Sequence, residues 1–563
     1  MKKLIIILTA AVFAVSCSDH LEDLNHNIKD PTSVSGESLF ASAQKRLADQ
    51  MTTPNVNLNN NRLWAQHWNE TTYQDESNYD QVTRAIPDNH WRVMYRDVLK
   101  NLDEAAKVIS STDNDITNAQ KPNKLAIIEI LSAYAWSNLV ETYGDIPYSE
   151  ALDIKNLLPK YDNGLEVYKD VLSRLNTAIG QLNSESSFSN TEDLIYGGNA
   201  ESWKWFGNTL KLRMGLILAD VPGEGALSKT TVETAYNSGV ISSNADDANY
   251  QYSTAAPNNN PVNDNLVLSG RNDYVAAKTI ADIMNDFKDP RRAQYFDPNI
   301  NENIGEVASV STTGNVTTIT FVDPLTVSPI VGNDAYVPTS DLEVPLRLGT
   351  ITAVGGNSID IEDIIEMPAV GEVVFYAIYE GAVVGEQSRY ALLTHANRTM
   401  VEATNPGILL SNIEAKFLLA EAAARLYNVG GSAKDYYDAG IAASFELWGS
   451  DNLMDYLANP KVDYNTALAA SSSATPWKEV IGTQAWLGLY NRTFAVYLSV
   501  RRLDYPILTQ PVNMKGGGYP VRYTYPVTEQ NLNRTNYEAA ASAIGGDLPT
   551  TKLFWDKNYT FPF

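Results

Sequence analysis

Apolar positions recur every three to four residues along most of the chain, the spacing that lays a single greasy stripe along a helix. Trp91, Met94, Tyr95, Val98, Leu102, Ala105 and Ile109 form one such stripe, and Tyr168, Val171, Leu172, Leu175, Ile179 and Leu182 form another. From Leu125 to Tyr143 the pattern is apolar nearly all round, which predicts a buried helix. Glu201 to Ala219 and Asp273 to Phe287 are further helical candidates, and the helical pattern as a whole begins near Glu37.

A second helical block opens near Asn412, with Ile413, Phe417, Ala420, Ala424 and Tyr427 on one face. Gly430-Gly431 stops that helix and Ser432 can cap the next. Ala439, Ala442 and Ala443 on the following helix allow close approach. Helix pairs joined by short turns, with small residues at the contact, are the unit of tetratricopeptide-type repeats. The segments Leu125–Leu152 and Asn163–Leu182 read as another such pair, although no strict period is visible.

Residues 301–395 have a different texture. Val307–Thr313 and Val316–Val322 flank Gly314-Asn315, Gly349–Val354 and Ser358–Ile361 flank Gly355-Gly356-Asn357, and Glu372–Tyr379 and Ala382–Val384 flank Glu380-Gly381. β-rich runs separated by such turns predict hairpins. The fold class expected is therefore mainly α, built of tetratricopeptide-like helix pairs with long loops and a small inserted antiparallel β subdomain. The division expected is a leader at 1–16, a linker at 17–36, helical regions at 37–300 and 396–563, and the β insert at 301–395.

The leader has Lys2 and Lys3 ahead of a short apolar run, Leu4 to Val15, which reads as a secretory signal. Cys17 follows Ala14-Val15-Ser16 and is the only cysteine of the chain. Small residues before a lone cysteine resemble a bacterial lipobox, so Cys17 is the expected lipidation site and the new N-terminus. Asp19, Glu22 and Asp23 then give an acidic stretch that resembles the surface-export signal of Bacteroidetes lipoproteins, and reads equally as a solvated linker.

Composition narrows the function. Among the 563 residues, 67 acidic side chains oppose 42 basic ones, a net charge of −25, which is the wrong sign for a nucleic-acid surface. One cysteine excludes a disulfide framework. The chain has no Walker A loop, no His-Glu-x-x-His and no Gly-x-Ser-x-Gly, and its five histidines are scattered. No catalytic residue, cofactor or metal site is assigned.

Several stretches together are similar to the SusD/RagB family of nutrient-binding lipoproteins, in its SusD-like branch. They are Leu24-Asn25-His26-Asn27 with Asp30-Pro31-Thr32, Tyr143-Gly144-Asp145-Ile146-Pro147-Tyr148, Asp289-Pro290-Arg291-Arg292 with Tyr295-Phe296-Asp297-Pro298, and Glu414 to Ala424. Near the C-terminus come Arg501-Arg502-Leu503-Asp504-Tyr505-Pro506, Arg522-Tyr523-Thr524-Tyr525-Pro526, Asn533 to Asn536 and Phe554-Trp555-Asp556. The 301–395 insert departs from the family pattern. The resemblance implies a lipid-anchored protein on the outer face of the outer membrane. Such a protein captures an oligosaccharide, or an oligopeptide, for a SusC-like TonB-dependent transporter, with no chemistry done on it. A surface glycan-degrading enzyme and a structural or adhesive surface protein are the rival readings.

The family motifs themselves read as structural. Gly144 and Pro147 turn the chain out of a helix, Asp145 can cap backbone amides, and Arg291 or Arg292 can pair with acids. Ligand-site candidates are instead rings and polar groups off the helical stripes, since flat rings offer apolar faces to sugar CH groups and Asn, Asp and Arg fix orientation. Trp64, Trp68, Tyr73, Asp75, Tyr79 and Arg84 form the first set, with Trp64 and Trp68, four apart, reading equally as one buried helix face. Asn260, Asn263 and Arg271, from an Asn-rich loop, form the second.

Overall fold

The computed structural model describes residues 34–112, 115–327, 329, 331–337, 346–362 and 364–556. The leader, Cys17 and the family-like opening at 24–32 lie outside these residues. No helix among those described is long and apolar enough to cross a membrane.

The body is a stack of antiparallel helix pairs. Gly36–Thr52 packs on the long helical run that starts at Ile86 and ends at Ser111. Asp115–Tyr143 pairs with Gly164–Gln181, and Ala200–Ile217 with Gly225–Asn237. In the second block Asn412–Ala424 pairs with Ala433–Trp448, and Pro476–Gly488 with Thr493–Leu503. The apolar stripes do the work expected of them: Met94, Val98, Leu102 and Ala105 are fully buried, as are Tyr168 and Leu175. Ser432 caps its helix in a reciprocal capping box with Asp435, satisfying two otherwise orphan backbone donors.

The family-like motifs tie the pairs together. Gly144 sits at φ +91°, a conformation that a side chain disfavours, and lets the chain leave the helix. The Asp145 carboxylate then accepts from the Gly164 amide at 2.7 Å, at the start of the next helix. Arg291 is fully buried against Asp289 at 2.6 Å and donates to Ser444, Tyr456 and Gln484, so one ion pair clamps the two helical blocks. Glu414 lies between Arg492 at 2.7 Å and Arg213 at 3.3 Å. Glu421 lies between Arg502 at 2.5 Å and Arg425 at 2.9 Å. Burial pushes the Glu414 carboxyl up, but the two guanidiniums outweigh it and hold the group below the usual carboxylate range.

The β segment is a closed antiparallel barrel of six strands. In spatial order they are Val373–Ile378, Asn299–Thr313, Val316–Phe321, Ser358–Glu362, Leu346–Val354 and Asp334–Val337, the last pairing back onto the first. Closure leaves no open edge to recruit another strand. Ile304, Val307, Ile319, Phe321, Leu348, Ile351, Ile359, Ile361 and Val374 fill its interior, a core separate from that of the helices. Asn299 pairs with Ile378, so the chain enters and leaves at one point.

Two expectations change. The third hairpin, Glu372–Tyr379 with Ala382–Val384, does not form. Ala382 instead bridges Ala277 of the helical body, with the Lys278 amide donating to Ala382 O at 2.7 Å. Gly381 permits this approach, since a Cβ there would lie 2.4 Å from the Ala277 carbonyl oxygen. The helix expected over Asp273–Phe287 covers only Lys278–Asp286, because Tyr274–Ala276 is a strand paired with Trp68–Glu70. The backbone groups of both short strands are satisfied by each other, and that tertiary pairing overrides the helical pattern.

Candidate ligand-binding groove

Three loops meet on the face where Tyr274–Ala276 lies. Thr71 is their junction: its amide donates to Asp273 O at 2.8 Å, its hydroxyl to Asn272 O at 2.8 Å, and its carbonyl accepts from the Ser388 amide at 3.1 Å. The strand His395–Ala396 pairs with Phe296–Asp297, and the Ala276 amide donates to Thr394 O at 2.7 Å. The segment 387–398 is thereby pinned beside Arg271–Tyr274 and above Asp297.

These elements enclose a cavity of about 200 Å³ lined by Leu266, Arg271, Tyr274, Asp297, Tyr390, His395, Arg398 and Val401, among others. Tyr390 and His395 stack at 4.3 Å between ring centroids and 25° between planes. His395 Nδ1 lies 3.1 Å from Leu393 O. A carbonyl oxygen only accepts, so Nδ1 carries a proton. Burial pushes the Asp297 carboxyl up, against the opposing pull of His395 and Arg398. Val267 and Leu268, which follow the lining residue Leu266 in sequence, are exposed. A broader hollow of about 540 Å³ is lined by Glu380, Gln387, Ser388, Arg389, Leu392 and Leu393, on the same 387–398 segment. A slit of about 20 Å³ between Arg213, Glu414 and Phe417 lies inside the helical body and has room for no more than a water.

The residues expected to bind ligand divide sharply against this face. Tyr73 is 75% exposed and Arg271 is mostly exposed, and both stand on loops joined at Thr71. Asp75 is partly exposed on the same loop as Tyr73. The others are structural. Trp64 is fully buried, donates to Glu76 O at 3.2 Å and meets Tyr497 and Tyr523 edge to face. Trp68 is buried too, donating to Tyr490 Oη at 2.9 Å, with Arg62 4.7 Å over its ring. Tyr79 is buried and accepts from Gln66 at 2.9 Å. Arg84 pairs at 2.7 Å with Glu76, whose side chain is wholly buried. Asn260 caps Pro261–Asn263 by accepting from the Val262 amide at 2.7 Å and donates to Asn405 O at 2.6 Å. Asn263 donates to Val401 O at 2.9 Å. These two brace the groove from behind. Rings at 64–79 fall on no long helix, which is why their burial escaped the stripe pattern: they are packed by residues more than 400 positions away in sequence.

Tyr390, His395 and Arg389 were absent from the expected site because they fall inside the 301–395 span that reads as β subdomain, and Arg398 lies three residues past its end. One signal was present. From Gly385 to Met400 the chain has neither alternation nor a helical stripe, but carries two arginines, a tyrosine and a histidine.

The family described as "Starch-binding associating with outer membrane" matches the chain over residues 28–324 and 368–526. Similar solved structures include a chitin-binding protein at 24% identity, covering 93% of this chain and 100% of its own, with a TM-score of 0.69. A chitin-binding SusD homolog from Flavobacterium johnsoniae is 22% identical, covering 94% and 100%, with a TM-score of 0.68. A SusD homolog from Bacteroides uniformis is 22% identical, covering 92% and 99%, with a TM-score of 0.66. At these identities the likeness is one of fold. No curated protein matches the chain.

Proposed function

The chain belongs to the SusD-like family of outer-membrane-associated proteins, and from that premise we propose that it is a cell-surface glycan-binding lipoprotein. In this reading Cys17 carries the lipid, the groove around Tyr390 and His395 captures an oligosaccharide, and a SusC-like TonB-dependent transporter receives it uncleaved. The observation that carries the reading is the Tyr390–His395 stack bounding a cavity of about 200 Å³ with donors and acceptors on both sides. Stacked rings take sugar CH faces, and the surrounding Arg, Asp and imidazole groups are placed to read hydroxyls. Two of the similar structures are named as chitin-binding, which favours a glycan over a peptide.

Calorimetry of the chain without its leader, against maltooligosaccharides, chitooligosaccharides and oligopeptides of matched length, tests this. A glycan is expected to bind and to be recovered intact. Tyr390→Ala is expected to weaken that binding by ~1–2 kcal/mol, the usual cost of truncating an interface ring. Its thermal transition should stay in place, since the ring is not part of either core. Binding of peptides alone, release of shortened glycan, or unchanged affinity in Tyr390→Ala would overturn the reading.

A further inference from the structure

Two guanidiniums share a cavity with the Tyr390–His395 stack, and a third, next in sequence to Tyr390, lines the neighbouring hollow. Arg271 and Arg398 line the smaller cavity and Arg389 the larger. In a chain with 67 acidic and 42 basic side chains, arginines outnumber carboxylates along these two walls. Their pairing is also unlike that of the other arginines. Arg271 is 3.6 Å from Asp273 and Arg398 is 3.8 Å from Asp297, the two longest arginine–carboxylate contacts among the described residues. Arg389 makes no ion pair among them. Elsewhere arginine–carboxylate pairs close to between 2.5 and 3.3 Å. A guanidinium has five N–H donors in a flat fork that matches a carboxylate. None of these three has a carboxylate at hydrogen-bond distance, so their donors are available to a ligand.

Resting on the glycan-binding reading above, we infer that the preferred ligand is an acidic oligosaccharide, a chain carrying uronic-acid carboxylates. One sugar ring stacks at Tyr390–His395. Carboxylates on either side of it reach Arg271 and Arg398 in the smaller cavity and Arg389 in the larger. Ser388, whose hydroxyl is buried without a partner, and Gln387 supply further donors in the larger cavity. The carboxylates that face the same groups are Asp273, Asp297 and Glu380. Asp273 and Asp297 stand at distances that steer the guanidiniums without saturating them, so an incoming carboxylate adds charge-assisted hydrogen bonds where only long contacts exist. The rest of the chain is strongly acidic, and that field slows the approach of an anion. At physiological ionic strength the repulsion is screened beyond about 8 Å, which leaves the short-range arginine contacts to decide affinity.

The test is calorimetry at physiological salt with three probes of equal length: tetragalacturonate, maltotetraose and chitotetraose. Tetragalacturonate is expected to bind at least about tenfold tighter than either neutral probe, the scale of one or two charge-assisted contacts. The double substitution Arg271→Gln and Arg398→Gln is expected to remove that preference, weakening tetragalacturonate at least about tenfold more than either neutral probe. Arg389→Gln alone should remove part of it. All three side chains are exposed, and a retained melting temperature checks that the variants fold. Neutral probes binding as well as or better than tetragalacturonate would overturn the inference and leave the glycan-binding reading standing. So would variants that lose all probes equally. If no probe binds at all, both fall.

Discussion

Arginine and carboxylate meet in two regions of this molecule with opposite consequences. Along the helix Asn412–Ala424, Glu414 and Glu421 each hold two guanidiniums at 2.5 to 3.3 Å in surroundings closed to water. In the groove the same chemistry is stretched to 3.6 and 3.8 Å and open to solvent. The difference follows from burial. A charge stripped of water must be matched closely or it costs several kcal/mol, so the buried pairs are short and fixed. A wetted pair gains at most ~1 kcal/mol and has no reason to close. The tight pairs make the scaffold, and the loose ones leave donors that a ligand can use. Arginines of one sequence thus divide into fold and function by the length and exposure of their contacts.

The largest expected effect breaks a buried pair. Glu414→Ala leaves Arg213 and Arg492 buried without their shared carboxylate, and should cost ~3–5 kcal/mol in chemical denaturation. Arg398→Ala in the same assay should cost less than ~0.5 kcal/mol, because it removes only an exposed contact. Equal losses in the two variants would mean that the distinction between the regions is false.

A smaller loss is expected when the barrel is excised. Replacing residues 299–378 with a short Gly/Ser linker joins points that are already adjacent, since Asn299 pairs with Ile378. The barrel core is its own, but Tyr336 and Ala377 pack into the core of the helical body. Losing the burial of Tyr336 should cost ~1.5–3 kcal/mol, with a single cooperative transition retained. Failure of every linker length to give soluble protein would show that the barrel is part of the scaffold rather than a unit set upon it.

How far these features could be read from sequence depends on how local their physics is. The helix stripes, the Ser432 cap and the Gly314-Asn315 hairpin are set by neighbours within a few residues, and they were legible. So was the structural role of Asp289-Pro290-Arg291, whose ion pair spans two positions. Barrel closure was not, because pairing Asp334–Val337 with Val373–Ile378 is a long-range event that no turn announces. Nor was the division of the aromatic residues. Tyr73 and Tyr79 look alike in the sequence, yet Tyr79 packs on Tyr519 while Tyr73 faces water. The groove itself is made where residues 71, 273 and 388 meet, and only the folded chain shows that meeting.

The smallest expected effect is a difference in sign between the two regions. The Glu414 carboxyl is held below its ordinary range, since Arg492 and Arg213 outweigh burial. Its stabilising contribution is present above the unfolded-state pKa and is lost as pH falls through the folded-state value. The Asp297 carboxyl is shifted the other way by burial, with His395 and Arg398 too weakly coupled to reverse it. Its contribution is complete below the unfolded-state pKa and is lost as pH rises through the folded-state value. Asp297→Asn keeps the shape and removes the charge. Relative to the unsubstituted chain, the variant should therefore gain stability as pH rises from about 3.9 toward neutrality, the range above the ordinary Asp value. The gain should stay under ~1 kcal/mol, because the site is partly wetted and its cationic neighbours oppose the shift. Melting temperatures of both proteins across that range read it directly. A variant that instead loses stability as pH rises would mean that Arg398 holds Asp297 as firmly as Arg492 holds Glu414, and the groove would then belong with the scaffold.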